Sequence, residues 1–326
     1  MDGFLVIDKP EGITSHDVVS SVRRILNMKK VGHTGTLDPF ATGVLPVALG
    51  EATKAIPFLD ESVKEYLAVM QLGVVTDTQD RTGIVLRKNS FDNLSEEFIK
   101  STFSSYTGFI KQVPPMFSAL KQSGVPLYKL AREGKSVHRE SRDITIYSLK
   151  IENIHLPNIS FRVRCSRGTY VRTLANDLGE SLGCGAHLSE LRRISSGIFN
   201  VSESVSLENL SIYRDNGQLS GKIISLLQSL PHLRDIELTE ENTRKVGNGI
   251  IPELSDLSSY YSSEPRIGEK FSFSHGNRLL AVAENISFPW SVERKNIRLL
   301  RVFNQSKPSM FSSSGQIDNA GTGQCR

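Results

Sequence analysis

The sequence predicts a mixed α/β (α+β) chain that ends in a small β unit, and three observations predict it. Apolar residues alternate with period two in some stretches and recur with a helical period in others, interleaved along residues 4 to 183. The 326 residues exceed the size, roughly 250–300, at which one hydrophobic core stops growing. Beyond about residue 230 only short extended runs remain, in a stretch (232–303) with ten basic and ten acidic side chains. The expected division is therefore 1–230, 231–303 and a tail, 304–326.

Taken in order, Phe4 to Asp8 reads as a short strand. Residues 15 to 27 follow as a helix, with Ser15 as N-cap and Val18, Val22, Ile25 and Leu26 on one face. Lys64 to Gly73 reads as extended, with Tyr66, Ala68, Met70 and Leu72 on one face and Leu67, Val69 and Gln71 on the other. Ser95 caps a helix that runs to Phe103. Ile144 to His155 and Ile159 to Cys165 are strands whose spacing makes a hairpin across Leu156-Pro157-Asn158. After Gly168 a helix with Val171, Leu174, Leu178 and Leu182 in phase ends at Gly183. Arg167, Tyr170 and Arg172 fall at its start, where free N–H groups and a partial positive charge suit phosphate or carboxylate. Lys270 to Ser274, Leu279 to Ala283 and Ile297 to Phe303 are the extended runs of the last unit. More than half of positions 304–326 are Ser, Gly, Asn or Gln, a composition that predicts disorder.

Composition removes several classes of function. No apolar run approaches the roughly 18 residues of a membrane span, and the N-terminus lacks the basic and apolar regions of a leader, so a cytoplasmic location is expected. Cys165, Cys184 and Cys325 are odd in number and far apart, which supports neither a disulfide framework nor a zinc site. There is no Walker loop, and Gly247-Asn248-Gly249 alone is too weak for a dinucleotide site. The expectation is chemistry without metal or cofactor. The formal charge of +4 says little by itself, but the windows 23–30, 121–142 and 162–193 each carry a basic excess and together leave the remainder acidic. Basic charge gathered in and beside one set of segments is the footprint of a polyanionic partner.

One of these segments, Gly32 to Pro46, holds a single carboxylate, Asp38, in a stretch punctuated by Gly32, Gly35, Gly43, Pro39 and Pro46. Glycines permit positive φ or close backbone approach and prolines stiffen the chain, so the stretch reads as a rigid loop. An isolated Asp-Pro would be no more than a turn. Around it, however, stand Val6-Ile7-Asp8-Lys9-Pro10-Glu11-Gly12-Ile13-Thr14-Ser15, the GHTGTLDPFATG core at 32–43, Lys64-Glu65-Tyr66 with Leu72-Gly73 and Thr76-Asp77-Thr78-Gln79-Asp80, Gln112 to Lys121, and Cys165 to Leu174. In this order the segments resemble the bacterial tRNA pseudouridine-55 synthases, the TruB family, over roughly residues 3 to 200.

The resemblance implies a catalytic domain on a mixed, largely antiparallel sheet with flanking helices, followed by a PUA-like RNA-binding domain. Asp38 then matches the catalytic carboxylate, Arg172 its guanidinium partner, and Tyr66 the aromatic that stacks on the target base. Tyr170 matches a residue lining the nucleotide pocket, Leu191 an apolar pocket residue, and His33 a histidine that holds the rearranged T loop. Lys9 and Pro10 would support the fold near the site. The implied substrate is the tRNA T arm and T loop, with no obligatory protein partner.

One carboxylate is enough for such chemistry in principle. Isomerising uridine breaks the C1′–N1 bond, rotates the base and rejoins it through C5 without an external reactant. An aspartate ionised at pH 7 could bond covalently to the sugar, stabilise an oxocarbenium-like centre, or remove a ribose proton. Unstacking the nucleotide costs a few kcal/mol, and stacking on Tyr66 would return about 1–3 kcal/mol. Two other classes remain open at this point: an RNA-folding protein without chemistry, and a base-releasing glycoside hydrolase, which would need a second carboxylate. A guide-RNA-dependent relative is a further possibility within the family.

Overall fold

The computed structural model describes residues 1–252, 266–286 and 297–304. Its centre is a ten-stranded sheet. Along its main path the strands run Ile223–Ile224, Gly3–Lys9, Thr42–Leu49, Ala186–Ser196, Val63–Leu72, Asn158–Ser166, Arg142–His155 and Gly108–Gln112, with Val31–His33 and Phe199–Asn200 paired alongside. Every strand pairing in this sheet is antiparallel except one. Thr42–Leu49 meets Ala186–Ser196 in parallel through only two residue pairs, Arg192 with Thr42 and Arg193 with Gly43. Two antiparallel halves are thus joined at a short seam, and the residues just before Thr42 are those of the Asp38 loop.

Alternation decides which face each strand buries. Leu5 and Ile7 point into a large cluster with Leu45, Val47, Tyr66, Ala68, Met70, Phe161 and Val163. Three helices close that cluster: Ser15–Leu26 through Val18, Val19 and Val22, Glu96–Ser105 through Ile99 and Phe103, and Val171–Ser181 through Leu174, Ala175 and Leu178. Phe4, Val6, Val44 and Ala48 point the other way, into a second cluster with Leu226, Leu230, Leu279, Val282 and Phe303. Strands buried on both faces read as continuous apolar runs, which is why Phe4-Leu5-Val6-Ile7 shows no alternation.

The last unit is a four-stranded sheet, Arg234–Glu237, Lys270–His275, Arg278–Asn285 and Ile297–Val302, with a helix at Glu240–Gly247. Three of its strands fall on the expected runs; the fourth, Arg234–Glu237, pairs in parallel with Lys270–His275. The sheet does not stand apart, since Leu279, Val282 and Phe303 share the cluster with Phe4 and Val6. The tail expected to be disordered lies, beyond residue 304, outside the described residues.

Several expectations need correction. The first helix is capped by Thr14, whose hydroxyl accepts from the Asp17 N–H (3.1 Å) while the Asp17 carboxylate accepts from the Thr14 N–H (2.9 Å). Ser15 is buried, and its hydroxyl accepts from the Leu37 N–H at 2.9 Å, fastening the helix to the Asp38 loop. The helix stops at Leu26, with Asn27 in the left-handed region. The stretch 32–46 is not all loop: Val31–His33 and Thr42–Leu49 are strands, and Pro46 lies inside the second. Its carbonyl still accepts from the Thr34 N–H at 3.1 Å. The third expected helix begins at Val171 and ends at Ser181.

Candidate active site

Lys9 holds the Asp38 loop in place. It is fully buried, and its ammonium donates to the carbonyls of Pro10 (2.8 Å), Ile13 (2.7 Å) and Pro39 (3.1 Å). The first strand is thereby laced to the residue after Asp38. Burial lowers the Lys9 pKa to about 8, with the Asp38 charge opposing the drop. Of the three loop glycines only Gly43 takes a positive φ (+99°), and a Cβ there would lie 2.2 Å from the Arg193 carbonyl oxygen. Gly35 brings the backbone close to Lys64, since a Cβ there would sit 2.8 Å from its Nζ, a contact the flexible side chain could relieve by moving. Gly32 meets neither condition, contrary to the sequence reading: it lies in a strand, with ordinary contacts at 3.7 Å and beyond.

Arg172 meets Asp38 in a two-point fork, Nε to Oδ2 at 2.8 Å and Nη2 to Oδ1 at 3.4 Å. The guanidinium is 4% exposed and the carboxylate 36%, so solvent reaches one side of Asp38 while protein surrounds the rest. Arg172 is itself fixed. Nη1 donates to the Thr78 carbonyl and Nη2 to the Phe117 carbonyl, each at 2.8 Å, and Asp80 Oδ2 lies 3.6 Å from Nη1. Burial pushes the Asp38 carboxyl above the ordinary carboxylate range; Arg172 opposes this and Asp80 adds to it.

Tyr66 is 7% exposed, paired across the sheet with Val163 and Arg193. Burial pushes its phenol up to about 12, so it stays neutral. Tyr170 sits at the N-cap of the Val171–Ser181 helix, where its N–H donates to Gln112 Oε1 (2.8 Å) and its carbonyl accepts from Gln112 Nε2 (3.0 Å). The charge of Asp38 reaches both phenols. The structure therefore gathers Asp38, Arg172, Tyr66 and Tyr170. His33 lies apart from them, near Arg193 and Glu61; burial and Arg193 lower its pKa, and its Nδ1 is buried without a hydrogen-bond partner. Leu191, opposite Ala68, lines an open cavity of about 650 Å³ with Phe40, Thr42 and Arg192. A separate hollow of about 510 Å³ lies far from Asp38, where Asp2 and Lys30 meet Arg278 and Phe303.

Three residues escaped the sequence reading. Asp80 is a second carboxylate at the site, but its Oδ1 already accepts from Thr78 Oγ1 (2.8 Å), Thr82 N (2.9 Å) and Thr82 Oγ1 (2.6 Å). Gln112 clamps Tyr170. Arg193 is 1% exposed and donates to the carbonyls of Val44 (2.7 Å) and Gly35 (3.0 Å). A signal for it existed: in a strand, consecutive Arg192 and Arg193 must face opposite ways. Arg192 takes the outer side, pairing with Asp8 at 2.7 Å. Among the described residues no group of three or more His, Cys, Asp or Glu could hold a metal ion, and no helix is long and apolar enough to cross a membrane.

Comparison with known proteins places the chain among its relatives. Residues 23–171 match the model for the TruB family pseudouridylate synthase N-terminal domain, and residues 172–230 that for the tRNA pseudouridylate synthase B C-terminal domain. The chain is 55% identical over 305 residues to the tRNA pseudouridine synthase B of Geotalea uraniireducens, covering 93% of this chain and 98% of that one. It is 52% identical to that of Geobacter sulfurreducens, covering 93% and 100%. Among solved structures it is similar to a chain of a Cbf5-Nop10-Gar1 complex, with TM-score 0.71 and 27% identity over 92% of this chain and 84% of that one. It is also similar to a chain of an H/ACA RNP bound to a substrate RNA containing 2′-deoxyuridine, with TM-score 0.70 and 25% identity over the same shares.

Proposed function

Since the chain belongs to the TruB family of pseudouridylate synthases, we propose that it isomerises the T-loop uridine at position 55 of tRNA to pseudouridine, with Asp38 as the catalytic carboxylate. The observation that carries the proposal is the two-point fork between Asp38 and the buried, fully bonded Arg172 beside the neutral ring of Tyr66. An unpaired carboxylate in such surroundings would drift toward its neutral form; the guanidinium holds the charge where a positive centre develops at C1′. All three routes open to the carboxylate, covalent capture, charge stabilisation and proton abstraction, require it ionised.

The uridine leaves its stack to reach Asp38, and Tyr66 offers the face on which its base rests before and after rotation. Tyr170 and Leu191 wall the nucleotide, and His33, neutral at pH 7, contacts the displaced loop through its ring. The basic insertion at 121–142 and the strand end at Arg167 provide phosphate contacts. The C-terminal sheet, with its even charge balance, is an auxiliary PUA-like RNA contact. A cytoplasmic location follows from this substrate, and no protein partner is required.

The hydrolase reading needed a second carboxylate to activate water. Asp80 is in place, but three hydrogen bonds on one oxygen and Arg172 near the other leave it bracing the guanidinium. The decisive experiment measures pseudouridine at position 55 of an unmodified tRNA transcript, using the protein alone. Wild-type protein is expected to form it, while Asp38→Asn binds the transcript and forms none. Free uracil in the products would point to hydrolysis. Binding without product from the wild type would leave an RNA-folding protein.

A further inference from the structure

Two cations converge under the catalytic loop on a single carboxylate, that of Glu61, whose Oε1 lies 3.9 Å from where a Gly35 Cβ would be. Lys64 shares the buried face of the Val63–Leu72 strand with Tyr66, two residues away. A Cβ at Gly35 would lie 2.8 Å from the Lys64 Nζ and 3.6 Å from Arg193 Nη1, so both groups press on the same backbone position. Arg193 is 1% exposed, and neither cation has a carboxylate within ion-pair distance among the described residues. Lys64 Nζ makes no hydrogen bond there either. Glu61 is buried and accepts on Oε1 from the Thr34 and Ser196 hydroxyls, so one carboxylate faces two cations and one positive charge is in excess.

A half-buried ammonium and a buried guanidinium that share one carboxylate are costly unless a second anion balances the excess charge. We propose that Lys64, backed by Arg193, is the seat for the phosphodiester on the 5′ side of the uridine that stacks on Tyr66. This rests on the reading of Tyr66 as the base platform given above. Strand geometry supports it: two residues along a strand separate Lys64 from Tyr66 by about 6.6–6.8 Å, a span suited to one nucleotide from base to backbone. The groups facing Lys64 are Arg193 from the neighbouring strand, Glu61 before its own strand, Cys165 from the strand on the other side with Arg167 just beyond its end, and Gly35 above. Burial, helped by Arg193, lowers the Lys64 pKa to about 8. The contact is therefore present below that pH and lost as pH rises through it.

The test uses the full chain and a T-arm hairpin RNA made with either a normal or an uncharged methylphosphonate linkage 5′ to the target uridine. Lys64→Met is expected to weaken binding of the normal RNA about tenfold and to reduce the slope of log K against log salt by about 0.7. The methylphosphonate should cost the wild type a similar factor and the variant almost nothing. Affinity should decline above pH 8 in the wild type alone. Because the free ammonium is a liability, the variant's Tm should equal or exceed that of the wild type.

Penalties that multiply, an unchanged salt slope, or a Tm lowered by more than ~5 °C would overturn the assignment and make Lys64 a structural residue. Wild-type protein that shows the coupling yet forms no pseudouridine would remove the proposed reaction and leave the phosphate seat standing.

Discussion

The charge on Asp38 rests on a contest between burial, which favours the neutral acid, and one guanidinium, which favours the anion. The sign of the pH dependence follows. The folded-state pKa is raised, so kcat/KM should fall as pH drops through a value above the ordinary ~3.9, and hold from there up to about pH 8, where the Lys64 contact begins to be lost. Arg172→Lys replaces the fork with a point charge that cannot also reach the Thr78 and Phe117 carbonyls. It should move the acid limb to higher pH and lower kcat at pH 7 by about 100-fold, measured as initial rates of pseudouridine formation across pH 4–9. An unmoved limb would mean that Arg172 positions RNA instead of holding the charge. Asp38 was singled out in the sequence by the motif segments around it and by the absence of any other acid from residues 32 to 46. Asp80 was not, because nothing local ties residue 80 to residue 172; the Thr78 and Thr82 hydroxyls that occupy it also resemble ordinary turn chemistry.

Among the elements, the strands of the sheet read best. The alternation of Tyr66, Ala68, Met70 and Leu72 reports one buried face directly. The hairpin from Arg142 to Ser166 follows from two such runs with a short break. Helix boundaries read less well, since Thr14 and Ser15 are both capping hydroxyls and only the reciprocal bond with Asp17 decides between them. The strand Thr42–Leu49 was hidden by Gly43 and Pro46, which are loop residues in isolation; here Gly43 serves a parallel contact that sequence cannot show, and Pro46 pairs antiparallel with Val6. Gly43→Ala tests that contact. Its Cβ would strike the Arg193 carbonyl, and its φ is unfavourable to any side chain. A destabilisation of about 2–4 kcal/mol is expected in chemical denaturation, with Gly12→Ala, also at positive φ but with open space around it, losing about 1 kcal/mol.

At the scale of the whole molecule, the C-terminal sheet is part of the support of the N-terminal half. A chain ending at Asn304 keeps Phe303 in the shared cluster and the Asn304 N–H on Glu51 (3.1 Å). Its activity and Tm should match the full chain. A chain ending at Leu230 uncovers Phe4, Val6 and Ala48. At about 1.5–3 kcal/mol for each large apolar side chain laid bare, it should melt lower and aggregate, as thermal scans and light scattering would show. The even charge of 232–303 argues for an auxiliary contact instead of a main electrostatic anchor, and it is the packing that identifies what the sheet supports. The two-pair seam has a further consequence, in the order of assembly. Arg192 touches Thr42 across 150 residues of chain, and contacts so far apart in sequence form late because loop closure must precede their reward. Each half-sheet can gather on its own local hairpins, whereas Asp38 takes its final place only when residues 192 and 193 arrive. If Asp38 is the catalytic carboxylate proposed above, a nascent chain shorter than that should be catalytically blank however much of it has folded, and the onset of activity should mark the closing of the seam.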